Sequence, residues 1–137
     1  MSGTPTSLAA EVEIRSAVPT FLASDVAATA RWYTEKLGFT LAGSIPKQEP
    51  FAYASVTRGG AEIMLLSMED YRKPDLSARR PGGLWDAYLR VRGVRALYDR
   101  LRDEAFMRMP LKRQPYGDWE LEVADPNGYV LVFGGSE

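Results

Sequence analysis

The sequence predicts an α+β domain made of two consecutive βαβββ modules, and three observations predict it. The order strand, helix, strand, strand, strand can be read twice along the chain, the second time from about residue 84. The expected strands outnumber the helices and are joined by tight-turn signals, which favours mostly antiparallel pairing. The chain has 137 residues and is 45% apolar, which suits one domain with a real core.

Residues 1–13 are small and polar and read as a loose N-terminal arm. The first module is residues 14–68. Residues 18–22 are apolar with Pro19 near their start, the pattern of an edge or opening strand. Ser24 and Asp25 offer N-cap oxygens to a helix whose apolar stripe is Val26, Ala30, Tyr33 and Leu37, and Gly38 stands where that helix should stop. Strands follow near residues 39–44, 51–58 and 61–68, the last two joined by a hairpin at Gly59-Gly60. Residues 69–83 are charged, carry Pro and Gly, and show no period, so they read as a linker. The second module is residues 84–135. It opens with a strand near 84–91, continues with a helical stripe of Val94, Leu97, Tyr98, Leu101 and Ala105, and closes with strands near 108–111, 118–123 and 129–134. Asp125-Pro126-Asn127-Gly128 marks the turn between the last two strands. Each module thus presents one sheet with a helix on its outer face. The inner faces must cover each other, cover a partner chain, or line a cavity.

Composition removes several function classes. Lys plus Arg is 17 against 18 for Asp plus Glu, a balance that gives no reason to expect nucleic acid. There is no cysteine, so disulfides and thiolate metal sites are excluded. There is also no histidine, which removes the commonest transition-metal ligand and the commonest general base near neutral pH. No apolar run approaches the roughly 20 residues of a membrane span. The first dozen residues lack the basic start and apolar stretch of a signal peptide, so a cytoplasmic location is expected.

Several motifs carry a family resemblance. Ser24-Asp25-Val26 is followed by Arg31-Trp32-Tyr33 and Leu37-Gly38-Phe39, and Gln114-Pro115-Tyr116-Gly117 precedes Asp125-Pro126-Asn127-Gly128. In this order and spacing, the chain from about residue 14 resembles the vicinal-oxygen-chelate superfamily of glyoxalases, extradiol dioxygenases, fosfomycin-modifying enzymes and antibiotic-sequestering proteins. Ser16-Ala17-Val18-Pro19 and Val91-Arg92-Gly93 with Leu97-Tyr98 are similar to its bleomycin-resistance branch. The resemblance implies the superfamily's fold, two modules around a concave cavity, and a homodimer whose ligand groove lies at or near the interface.

Metal-using relatives place ligands on the inward faces of four strands. The matching positions here are Val18, Met64, Asp86 and Val132, three of them apolar. One carboxylate cannot hold a metal alone, so no metal and no other cofactor is expected.

The run Asp118-Trp119-Glu120-Leu121-Glu122-Val123 alternates at the strand period of two. One reading is a half-buried strand with solvated carboxylates. The other turns Trp119, Leu121 and Val123 under the helix and aims Glu120 and Glu122 into the cavity, at positions that serve the active site in fosfomycin-modifying relatives. Asp86 and Glu62 would point into the same space. Tyr88 and Tyr116 match positions where the bleomycin-resistance branch carries aromatic residues near its groove, and Tyr53 and Phe51 are candidate walls. Trp85 alternates away from Asp86 and reads as core, Trp32 as helix packing or a dimer contact, and Arg79-Arg80 as a solvated loop. The candidate ligand-binding set is Tyr53, Asp86, Tyr88, Tyr116, Glu120 and Glu122. The expected function is metal-free binding of a cationic or aromatic small molecule. The alternative is an enzyme of the same superfamily that uses Glu120, Glu122 or Asp86 as general base.

Overall fold

The computed structural model describes residues 10–82 and 84–137. Most of the proposed N-terminal arm, residues 1–9, lies outside the described residues, as does Gly83 at the end of the proposed linker.

The first module runs β1 (Thr20–Ala23), α1 (Val26–Leu37), β2 (Thr40–Ile45), β3 (Tyr53–Arg58) and β4 (Ala61–Ser67). The second runs β5 (Ala87–Arg90), α2 (Val94–Leu101), β6 (Met107–Arg113), β7 (Trp119–Ala124) and β8 (Val130–Gly135). Two four-stranded mixed sheets result, ordered β1-β4-β3-β2 and β5-β8-β7-β6. In each, the module's first strand pairs in parallel with its last, and the remaining pairs are antiparallel. This is the α+β architecture of two like modules that the vicinal-oxygen-chelate fold describes.

Local chemistry explains the first helix. Of the two candidate caps, Asp25 takes the role, its Oδ1 accepting from the Ala28 amide at 3.0 Å. Gly38 ends the helix at φ 72°, and the space a Cβ would need there is filled by the Arg58 guanidinium, which caps the Leu37 carbonyl at 2.6 Å. The stripe Val26, Ala30, Tyr33 and Leu37 is buried against Ala54, Val56, Ile63 and Leu65 of the sheet. α2 ends sooner than its stripe suggests, at Leu101 instead of Ala105, and residues 102–106 form turns that carry Phe106 onto Trp32. Trp32 is thus helix packing within the chain, with its ring edge-on to Phe106 at 5.1 Å.

The modules are fastened by the turn after β7. Asp125 Oδ1 accepts from the amides of Asn127 and Tyr129, and its Oδ2 accepts the Tyr33 hydroxyl at 3.0 Å. Burial raises the Asp125 carboxyl pKa, and burial followed by the Asp125 charge raises the Tyr33 phenol pKa. The Asn127 amide reaches Thr29 Oγ1, and the Tyr129 ring stacks on Phe21 at 4.1 Å. Residues 69–82 do more than link. Tyr71 stacks on Tyr129, the Lys73 amide donates to the Asn127 carbonyl, and Arg72 donates to the Pro126 carbonyl. The segment reads as a linker because its contacts are long-range and made by single residues outside any helix or strand, which leaves no period.

Candidate functional site

β7 decides where the acidic side chains go. Leu121 and Val123 are fully buried in the core with Val94 and Leu101 of α2, so strand alternation sends Glu120 and Glu122 to the opposite, helix-free face. They are not solvated there. Glu120 is 4% exposed and Glu122 is 7% exposed. Such burial requires partners, and every partner comes from outside β7.

Glu120 Oε2 accepts two phenols, Tyr88 from β5 at 2.7 Å and Tyr116 from the loop before β7 at 2.5 Å. No cation pairs with Glu120 among the described residues. The hydrogen bond to Glu120 lifts the Tyr116 phenol to about 12, and burial followed by the same carboxylate lifts that of Tyr88 further. The Tyr88 and Glu120 side chains meet over Gly134 of β8, where a Cβ would lie only 2.6 Å from the Tyr88 ring carbon that bears the hydroxyl. Any side chain at 134 would obstruct the pair.

Glu122 is held differently. Its Oε2 accepts the Trp85 indole N–H at 3.1 Å, and its Oε1 faces Arg108 Nε at 3.3 Å. Trp85 therefore joins the acidic cluster and is not part of the core. It is 48% exposed, and its ring lies 5.6 Å from that of Tyr88. The parity argument failed because residue 85 precedes β5, where strand alternation does not yet apply.

Asp86 is committed elsewhere, to Lys73 Nζ at 2.5 Å and the Val130 amide at 2.8 Å. Glu62 accepts from Ser55 Oγ at 2.7 Å on the helix-free face of the first sheet. Tyr53 lies half-buried on that same face, in a cross-strand row with Ile45, Leu66 and Leu22. Phe51 packs against the core. Of the six candidate residues the structure thus joins Tyr88, Tyr116 and Glu120 by hydrogen bonds, sets Glu122 beside them on the same face, and leaves Asp86 and Tyr53 apart. Trp85 and Arg108 are the members that sequence reasoning missed. For Arg108 the alternation of β6 offered little signal, since two irregularities break its register with β7.

The side chains present do not fit the superfamily's metal. Val18, Met64 and Val132 have no hard donor, and the Asp86 carboxylate is already bonded to an ammonium and an amide. Among the described residues, no three Asp or Glu side chains converge in a group that could hold a metal ion. Among the described residues, no helix is long and apolar enough to cross a membrane.

Comparison with known proteins agrees with this architecture. No curated protein sequence gives a significant match. Among solved structures, TioX from Micromonospora sp. ML1 superposes with a TM-score of 0.69 at 21% identity, covering 88% of this chain and 97% of that one. The bleomycin resistance determinant encoded on transposon Tn5 gives 0.65 at 18% identity, covering 90% and 99%. The bleomycin-binding protein of bleomycin-producing Streptomyces verticillus, solved with copper(II)-bleomycin, gives 0.63 at 24% identity, covering 92% and 99%. These likenesses establish the fold. A family model matches residues 16–133, and the chain belongs to the glyoxalase/bleomycin resistance protein/dioxygenase superfamily.

Proposed function

We propose that the chain is a metal-free small-molecule-binding protein whose ligand is a cationic aromatic compound, held over Tyr88, Tyr116, Trp85 and the two β7 glutamates. One observation carries the reading. Glu120 is a buried carboxylate that takes two phenol donors and has no cationic partner among the described residues. Buried carboxylates are normally paired with a cation, and a cationic ligand would supply that charge in poorly screened surroundings. Tyr116, 62% exposed, and Trp85 offer ring faces for stacking and cation–π contact. The Streptomyces verticillus neighbour, which has the same fold and was solved with copper(II)-bleomycin, supports the reading. The enzyme alternative has less support. Each of its three candidate bases is already the acceptor of at least two hydrogen bonds.

Pairing of two chains is part of the proposal. The row Leu22, Leu66, Tyr53 and Ile45 lies open on the first sheet, with Ile45 63% exposed, and Leu84, Trp85 and Met109 are exposed in the second module. A partner chain covering these side chains would dry the groove. Light scattering should give about twice the 15.2 kDa chain mass. Thermal denaturation with bleomycin tests the ligand class, since ligand at a hundredfold excess over Kd adds about 2.7 kcal/mol of stability. A monomer whose melting is unmoved by cationic aromatic compounds would overturn the reading.

A further inference from the structure

A groove lies where the two modules meet, and its charge is opposite in sign to that of the acidic cluster. It has a volume of about 1280 Å³, larger than most small-molecule pockets. The C-terminal end of α1 and the β3–β4 turn form one wall, while β5 and α2 form the other. Core side chains, among them Leu37, Ile63, Leu101 and Phe133, reach its surface and make it partly apolar. β5 is an edge strand, paired only with β8, and residues 86–92 line the groove without interruption.

Four arginines converge here: Arg58, Arg90, Arg92 and Arg100. None has a carboxylate partner among the described residues. Arg58 spends one N–H on the Leu37 carbonyl, and Arg90 lies over the Tyr88 ring at 5.4 Å. A guanidinium has five N–H donors, so donors remain. The other charged groups of the lining do not cancel this excess. Lys36 is paired with Glu104 and Asp86 with Lys73, which leaves Glu35 and Glu62, the latter bonded only to the neutral Ser55 hydroxyl, to oppose four guanidinium groups. On a chain of net charge −1, this is a local positive field.

We infer that this groove is a separate binding site for an amphipathic organic anion, an apolar body carrying a carboxylate, sulfonate or phosphate. The apolar floor takes the body, and the arginines take the oxygens through charge-assisted, potentially bidentate hydrogen bonds. Neither Glu120 nor Glu122 lines the groove. Tyr88 borders both sites, its hydroxyl bonded to Glu120 and its ring covered by Arg90, so the inference rests on the arginines and not on the cationic ligand proposed above.

Calorimetric titration of the full chain with naphthalene-2-sulfonate, and with 2-naphthylmethylammonium as its cationic counterpart, tests the site. Arg92→Glu/Arg100→Glu is the variant of choice, because both side chains are exposed and neither caps a helix. The sulfonate should bind the wild type and lose about tenfold or more in affinity in the variant, with further weakening by salt. It should be unaffected by Glu120→Gln. A Gln substitution at the same two arginines should fall between wild type and the Glu variant, which separates charge from misfolding. Equal sulfonate affinity in wild type and the Glu variant would overturn the inference. So would loss through Glu120→Gln, or release of the sulfonate when two chains associate, which would make the groove a contact between copies.

Discussion

Replacing Gly134 with alanine is the sharpest structural test of the acidic cluster. A Cβ at this position would meet the Tyr88 hydroxyl oxygen directly, lie 2.6 Å from Tyr88 Cζ, and lie 3.2 Å from Glu120 Cγ. The backbone can accept alanine, since Gly134 does not have a positive φ. The cost therefore comes from displacing the phenol. Loss of a hydrogen bond to a charged acceptor is worth about 1.5–3 kcal/mol, and overpacking adds about 1–3 kcal/mol. Tyr88 is only half-buried and can relax outward, which favours the lower ends, so a destabilisation of about 2–4 kcal/mol is expected. For a chain of this length that corresponds to a fall of roughly 6–16 °C in melting temperature. Gly43→Ala is the control, because nothing lies within 4 Å of a Cβ there, and it should stay within about 0.5 kcal/mol of wild type. Urea denaturation of both variants, followed by circular dichroism, makes the comparison. Matching midpoints for Gly134→Ala and Gly43→Ala would show that the Tyr88–Glu120 contact does not constrain this face, and the reasoning would fail.

Two further outcomes are expected. Leu121→Ala should cost about 2–5 kcal/mol, because the side chain is fully buried, whereas Glu122→Gln should cost about 1.5–3 kcal/mol, since it removes the charge that pairs with Arg108 although a glutamine oxygen can still accept from Trp85; denaturant melts of the pair at low and high salt would show whether only the Glu122 cost falls with screening. Tyr116 should ionise near pH 12, held up by its hydrogen bond to Glu120, and Glu120→Gln should bring it back toward 10. Because the folded pKa is the higher one, any stability this hydrogen bond adds is present below about pH 10 and is lost as the pH rises through about 12, which ultraviolet difference spectra of the phenolate would follow.

The parts of the fold that were legible in the sequence are those set by near neighbours. Asp25, the stripe from Val26 to Leu37, Gly38, Gly59-Gly60 and the turn at Asp125 each act within a few residues, and each lies where local chemistry puts it. The alternation of Trp119–Ala124 left open whether its carboxylates are solvated, because pattern alone cannot report what approaches from other strands. Burial of Glu120 depends on Tyr88, 32 residues earlier, and that of Glu122 on Trp85, 37 residues earlier. Lys73 escaped notice for the same reason. It stands in an aperiodic stretch, and only the folded chain brings its ammonium to Asp86. The four arginines of the intermodular groove are spread over residues 58–100 on separate elements, so no motif announces them.

The central claim is that Glu120 supplies a buried negative charge for a cationic aromatic ligand and needs no metal to do so. Calorimetric titration of chelator-treated protein with metal-free bleomycin, in wild type and in Glu120→Gln, tests it most directly. The account predicts that the wild type binds after metal removal, and that affinity falls by about tenfold with the substitution and weakens with added salt. Binding that requires a restored metal ion, or an affinity unchanged by Glu120→Gln, would contradict it.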